Sequence, residues 1–195
     1  LPLGVSLWIC LFAVGLLRKP MIDRRSAVTN LAFVLSMFVW MFGYVWSHNS
    51  TDLASSYFWL QVSNVGFCSF GLSWLAYAIV SAKCGQWLTK PLLILLALPP
   101  AIAYVGLLTN DWHKLFFSSV AHSGSIGGLS YSRGPLFWVN FASHDAYLLV
   151  GNALYVLRAT TPLGKGPWRR LLVACLNYSS VAIYFLQAAQ VITFS

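Results

Sequence analysis

The sequence predicts an all-α membrane protein, a bundle of six transmembrane helices with a short β-hairpin in one outer loop. Hydrophobic residues make up 58% of the chain and charged residues only 8%. Soluble domains carry about 25% charged residues, so a surface with this few charges suits lipid better than water. Apolar segments of membrane-spanning length and a marked asymmetry in loop charge support the same fold class. The whole chain, residues 1–195, is therefore predicted to form a single transmembrane helical domain.

The apolar segments approach or exceed the ~20 residues that a helix needs to cross a bilayer. They cover residues 2–17, 28–47, 57–81, 91–108, 136–157 and 168–194. The first segment is short, and the chain starts at Leu1 and not at a methionine. We therefore expect the start of this segment to be trimmed.

The loops between these segments differ in their content of basic residues. Ten of the twelve Lys and Arg residues lie in or beside loops 18–27, 82–90 and 158–167, and loop 109–135 has two. Lys and Arg accumulate in cytoplasmic loops of membrane proteins. We predict that those three loops are cytoplasmic and that the N-terminus and loop 109–135 lie outside. Because the net charge of +8 follows this topology and forms no basic face, nucleic acid is not expected as a partner.

The long outer loop is the least lipid-like part of the chain. It contains a stretch rich in Ser and Gly between residues 118 and 133. Alternating side chains on both sides of a Gly turn are typical of a β-hairpin. The predicted strands lie near residues 116–121 and 129–132.

Polar residues at membrane depth form the first candidate site. His144 and Asp145 follow Leu136 by eight and nine residues, which places them roughly 12 Å into the membrane at about 1.5 Å per residue. Ionisable groups at this depth are costly, so they indicate function by default. Asn140, His144 and Tyr147 share one face of the helix by their spacing. The alternative is a hydrogen bond between helices that serves only packing.

Two other segments offer polar groups that could converge with this face on an outward-facing pocket. Asn177 and Tyr178 lie near mid-depth of the last segment, and Gln61 and Asn64 lie near the outer end of the third. We treat all four as candidate ligand-binding residues, with helix packing as the alternative reading for each.

No cofactor, metal site or active site is predicted. Only His144 lies deep in a segment, whereas membrane haem usually needs an intramembrane histidine pair. Haem and pigment therefore remain only as alternatives, and the cofactor is unknown. The four cysteines show no paired spacing and are read as reduced packing residues. Nucleotide-binding, nucleophile-elbow and metalloprotease motifs are absent, so the chain is not expected to be an enzyme.

Several motifs occur in the same order as in a known family. The chain reads TNDWHKLF at residues 109–116 and YSRGPLFWV at 131–139, with a Gly-rich turn between them. It also reads WMFGY at 40–44, FWLQ at 58–61 and Leu-Pro at 98–99. Over essentially its whole length, the chain resembles the N-terminal seven-transmembrane sensor region of membrane histidine kinases.

The resemblance implies a helical sensor fold and a signalling role. The seventh helix of that family and its kinase fall outside the match, and the His144–Asp145 pair is not a feature carried over from it. Related regions also precede diguanylate cyclases, so the implied output is a kinase or a cyclase. The outer loop then becomes a second candidate site for the cue, with these candidate residues: Asp111, His113, Phe116, Tyr131 and Trp138.

Three functions remain open from the sequence. The first is a sensor that binds a small or lipid-like cue and relays it to a cytoplasmic output. The second is an accessory or scaffold subunit of a pigment-binding or electron-transfer complex, suggested by the 9 Trp, 9 Tyr and 13 Phe. The third is a transporter, for which Asp145 is the one intramembrane acid. The expected partners are the lipid bilayer and either a second copy of the chain or other membrane subunits.

Overall fold

A computed structural model describes residues 24–123 and 128–158, together with residue 175. Four long helices and a small hairpin make up this part of the chain. In chain order the elements are α1 (Arg24–Asn49), α2 (Leu53–Ser81), a 3₁₀ turn (Gly85–Trp87), α3 (Lys90–Leu108), the short α4 (Asn110–His113), β1 (Phe117–Ser123), β2 (Gly128–Arg133) and α5 (Pro135–Arg158).

Four of the predicted apolar segments coincide with helices of the structure. The predicted segments 28–47, 57–81 and 91–108 correspond to α1, α2 and α3 within four residues at each end, and all three helices are long and apolar enough to cross a membrane. Segment 136–157 corresponds to α5, which is not among the three described helices that length and composition mark as membrane spans. Segments 2–17 and 168–194 lie outside the described residues, so the count of six spans stays a prediction.

Two helix ends are fixed by side chains that cap the backbone. Asp52 precedes α2, and its carboxylate accepts a hydrogen bond from the Ser55 amide at 2.8 Å. This bond stabilises the ionised form and lowers the pKa of the Asp52 carboxyl. At α3, the Thr89 hydroxyl accepts from the Leu92 amide at 3.4 Å. Caps of this kind satisfy backbone donors that the first turn leaves unpaired.

Small residues bring α1 and α2 into close contact along their length. A Cβ atom on Gly43 would collide with the Ser63 backbone, and one on Gly66 would collide with the Trp40 backbone. The Ser63 hydroxyl donates to the Trp40 carbonyl at 3.0 Å. Because lipid provides no hydrophobic drive between helices, such close backbone approach is a main source of helix association.

The hairpin follows α3 at the end of the bundle opposite the basic loops. Strands β1 and β2 pair antiparallel, with Val120 opposite Tyr131 and an irregularity between Phe117 and Ser119. This confirms the hairpin predicted from the Gly-rich loop. We call residues 109–123 and 128–134, which comprise α4 and the two strands, the hairpin cap. Its buried side continues directly into the core between α2 and α5.

We expect Gly66→Ala to destabilise the helix pair, because the new methyl group would force the two backbones apart. Overpacking of this kind costs about 1–3 kcal/mol. Thermal unfolding of the purified protein in detergent measures the effect. Gly85→Ala is the matched control, because a Cβ there would lie 3.9 Å from the side chains of Arg25 and Val80, which is ordinary contact. Equal unfolding temperatures for the two variants would contradict the close-packing account.

Candidate functional site

Asn110 fastens the hairpin cap to the helices. Its side chain is 1% exposed, and its Oδ1 accepts from the amides of Phe116 at 2.9 Å and Phe117 at 3.0 Å. Its Nδ2 donates to the Phe117 carbonyl at 3.0 Å and to the Tyr57 hydroxyl on α2 at 3.4 Å. One amide group therefore satisfies the buried backbone where the chain turns from α4 into β1.

The return of the chain into α5 is equally constrained. The Gly134 amide donates to the Phe116 carbonyl at 2.8 Å, and the Leu136 amide donates to the Leu115 carbonyl at 3.0 Å. A Cβ at position 134 would collide with the Leu115 carbonyl group, so the close approach requires glycine. Residues before and after the hairpin therefore both hydrogen-bond to the backbone of residues 115–117.

Aromatic rings join the hairpin cap to the membrane core. Phe116, Phe117 and Phe137 are at most 1% exposed. The ring centroids of Phe116 and Phe137 lie 5.7 Å apart in an edge-to-face arrangement, and those of Phe137 and Phe141 lie 6.3 Å apart. Phe141 in turn stacks on Phe67 of α2 at 6.3 Å. A continuous aromatic column therefore runs from the hairpin into the middle of the helix bundle.

A cleft opens between the hairpin and the first turns of α2. Its volume is about 580 Å³, within the ~300–1,000 Å³ typical of small-molecule sites. Near it, the Lys114 ammonium lies 3.4 Å from the Asp111 carboxylate, with the two side chains 56% and 72% exposed. The cleft is lined by Leu53, Ala54, Tyr57, Asn110, Asp111, Lys114, Phe117, Ser118, Ser119 and Val120.

His144 lies deeper, at the far end of the aromatic column. Its ring stacks on Phe67 at 4.3 Å and on Phe70 at 5.7 Å between centroids, and the side chain is 2% exposed. Gly71 makes this possible, because a Cβ there would lie 2.9 Å from the His144 carbonyl oxygen. The His144 Nδ1 atom is 3.4 Å from the Asp145 carboxylate, which is partly exposed.

The other intramembrane candidates do not all converge on His144. Asn140 is buried one turn before it on the same helix. Tyr147 instead faces α3, where its hydroxyl donates to the Leu96 carbonyl at 2.8 Å. Asn64 donates to the Leu60 carbonyl of its own helix at 2.8 Å. Asn140 and His144 are therefore both buried, one turn apart on α5, whereas Tyr147 and Asn64 have separate partners.

Of the remaining intramembrane candidates, Gln61 is half-buried on α2. Asn177 and Tyr178 lie outside the described residues. The ligand-binding role assigned to these three residues stays a prediction.

The outer-loop candidates divide into structural and exposed residues. Phe116 is buried, and Tyr131 packs edge-to-face on Phe117 at 5.0 Å. His113 is bound locally, since its Nδ1 accepts from the Leu115 amide at 2.9 Å and its Nε2 contacts the Thr109 hydroxyl at 3.0 Å. Asp111 and Trp138 are exposed, Trp138 packing against Phe137 and Phe141.

No group of three metal-ligating side chains occurs among the described residues.

Sequence reasoning missed the residues that organise the cleft. Asn110, Tyr57 and Lys114 were not named as site residues, although Asn110 stands in the motif at residues 109–116. The available signal was its position between the apolar segment that ends at Leu108 and the predicted first strand. At such a junction a side-chain amide can satisfy the turning backbone.

The family assignment follows from a comparison over almost the whole chain. Residues 2–192 match the model of the N-terminal seven-transmembrane region of histidine kinase. The chain belongs to this family. No curated protein and no solved structure matches it. The resemblance noted in the sequence motifs is thereby confirmed, and the chain is a transmembrane region of the histidine kinase sensor type.

We expect Asn110→Ala to loosen the hairpin cap, because it leaves the buried amides of Phe116 and Phe117 without their acceptor. An unsatisfied buried donor costs about 1–3 kcal/mol. Limited proteolysis of the hairpin and thermal unfolding both report the change.

Asn49→Ala is the control for this comparison. The Asn49 amide also bonds a backbone carbonyl, that of Val45 at 2.7 Å, but it is exposed to solvent. It should leave proteolysis of the hairpin unchanged. If protease cleaves the hairpin of the Asn110→Ala protein no faster than that of the Asn49→Ala protein, the anchoring role of Asn110 is wrong.

Proposed function

We propose that this chain is the input region of a membrane sensor in which the hairpin cap receives a cue and passes a displacement through α2 and α5 to a cytoplasmic output. The single observation that carries the proposal is that the cap shares one hydrophobic core with the transmembrane helices. Leu60, Phe67 and Phe141 of the helices belong to the same buried cluster as Phe116 and Phe117 of the cap.

Close packing is what makes this core suited to relay a movement. Packed interiors have low compressibility and transmit strain, so a shift at one ring displaces its neighbours. The aromatic column ends where Phe67 stacks on His144. Beyond it, a second buried cluster continues between the same two helices, with the rings of Trp74 and Tyr155 5.3 Å apart. Contacts between α2 and α5 therefore extend from the cap toward the opposite end.

The charge distribution supports a cytoplasmic position for that opposite end. The Arg25 guanidinium at the start of α1 donates to the Gly85 carbonyl after α2 at 3.5 Å, so parts of two basic loops lie together. With the positive-inside tendency, these loops would face the cytoplasm and the hairpin cap would face outward. The family's name for this region, the N-terminal part of a histidine kinase, supports an output domain on the cytoplasmic side.

The scaffold and transporter alternatives draw no comparable support from the described residues. The aromatic side chains that suggested cofactor contacts pack mainly on one another. Asp145, the basis of the transporter reading, lies beside His144 with 36% of its side chain exposed.

A double-mutant cycle in the full-length kinase tests the relay. Tyr131→Ala perturbs the cap, and Phe141→Leu loosens the column below it. We expect each to change autophosphorylation in isolated membranes, and the effect of Tyr131→Ala to shrink in the Phe141→Leu background. Coupling along such networks is about 0.5–2 kcal/mol, or roughly 2- to 30-fold in activity.

Val139→Ala provides the matched control, since Val139 lies on the same helix but is 61% exposed. It should combine additively with Tyr131→Ala. Relay through the column would be ruled out if the Tyr131→Ala protein inserts correctly and its autophosphorylation is unchanged. It would also be ruled out if the effect of Tyr131→Ala adds to that of Phe141→Leu as fully as it adds to that of Val139→Ala.

A further inference from the structure

The cleft beside the hairpin has the shape and lining of a site for an amphiphile. Tyr57 of α2 and Phe117 of β1 line it with aromatic surface, and Leu53 and Val120 add aliphatic surface. Polar groups gather at residues 111 and 114. Small-molecule sites generally combine a mainly apolar wall with a few placed polar groups. An occupant with an apolar chain and a polar head matches this division.

The position of the cleft along the helices also favours an amphiphile. It lies between the first turns of α2, the short α4 and β1, at the end of the bundle that also carries several large exposed aromatic side chains. Trp112 is 87% exposed, Phe58 is 55% exposed and Trp46 is 42% exposed. Aromatic residues of this kind concentrate at the level of the lipid head groups. A molecule at that level can place its chain toward the bilayer and its head toward water.

The two charges beside the cleft determine which head group fits. Lys114 adopts a left-handed backbone conformation, φ 54°, as the residue that ends α4, and its ammonium reaches Asp111 at 3.4 Å. Exposed pairs of this type contribute little stability. The ammonium has three donors and the carboxylate about four acceptor positions, so each can bind a further partner.

An anionic head group would be attracted by Lys114 and repelled by Asp111. A cationic head group would be attracted by Asp111 and repelled by Lys114. A zwitterionic head can pair with both charges at once. We propose that the cleft binds a zwitterionic amphiphile, with its chain against Tyr57 and Phe117 and its head on Asp111 and Lys114. The inference rests on the proposed sensor function for its biological role, since occupancy of the cleft would be the cue.

Labelling of a cysteine in the cleft tests occupancy directly. Ser119→Cys is introduced into the whole chain after Cys10 and Cys175 are replaced by serine, while Cys68 and Cys84 are left buried. The protein is placed in phosphatidylglycerol nanodiscs and reacted with a membrane-impermeant maleimide. The probes are lauroyl lysophosphatidylethanolamine, laurate, dodecylamine and dodecanol, which differ in head group. Ser130→Cys, exposed on β2 and not lining the cleft, is the control.

We expect the zwitterionic probe to slow labelling at position 119 by about tenfold when its concentration is about ten times its Kd. Labelling at position 130 should not change. Laurate and dodecylamine should bind more weakly, and dodecanol most weakly. Equal protection by all four probes, or equal slowing at positions 119 and 130, would overturn the proposal, because it would indicate partition into the disc.

Charge variants test the head-group assignment. Asp111→Asn should raise the affinity for laurate relative to that for the zwitterionic probe. Lys114→Asn should raise the affinity for dodecylamine relative to that for the zwitterionic probe. Each change should be about two- to fivefold. Asparagine tolerates the left-handed conformation, so the second variant keeps the end of α4. Unchanged head-group preference in both folded variants would overturn the assignment.

The same assay identifies the source of the amphiphile. Protection already present in phosphatidylethanolamine nanodiscs would identify a bilayer lipid, and protection only after the single-chain probe is added would identify a free amphiphile. Both results support the site. Autophosphorylation of the full-length kinase separates the two proposals. If an amphiphile protects position 119 but does not change the activity, only the sensor role is contradicted. If variants of the hairpin cap change the activity but no amphiphile protects position 119, only the binding site is contradicted.

Discussion

The side-chain amide of Asn110 is the contact on which the arrangement of the hairpin cap depends. It accepts from two successive amides, donates to a carbonyl of the same stretch and reaches the Tyr57 hydroxyl. Unpaired polar groups at this depth would be strongly unfavourable. By satisfying them with one residue, the chain can bury Phe116 and Phe117 completely, and those rings make the hairpin part of the membrane core.

The aromatic column gives the cap and the helices a common interior. Its rings meet in offset and edge-to-face arrangements, which contribute about 0.5–1.5 kcal/mol beyond area burial. His144 extends the column in an unusual way, since an ionisable ring fills a position between two phenylalanines. Gly71 leaves the necessary room.

The two ends of the bundle differ in their chemistry. The hairpin end has a cleft lined by aromatic side chains and by a pair of opposite charges. At the other end, Arg25 at the start of α1 donates to the Gly85 carbonyl after α2. This difference fits the proposed function, in which the hairpin cap receives the cue and the opposite end faces the output.

The sequence by itself determined the elements that follow from local chemistry. Apolar length predicted α1, α2, α3 and α5, because a membrane requires such length whatever the neighbours are. The Gly-rich turn predicted the hairpin, since its backbone geometry is local. Motif order predicted the family. The sequence also singled out His144 and Asn140 as candidates, because an ionisable or amide group in an apolar helix is visible without a structure.

Only the tertiary structure decided which of these polar groups meet. Tyr147, Asn64 and His144 are all polar residues in apolar segments of the sequence. In the structure, Tyr147 bonds a carbonyl of α3 and Asn64 bonds a carbonyl of its own helix. Helical spacing alone cannot distinguish these partners. The cleft could not be predicted for the same reason. Tyr57 and Lys114 are 57 residues apart in the sequence, and the fold of the hairpin cap brings both to the lining of one cleft. Long-range packing, not local propensity, assembles the candidate site.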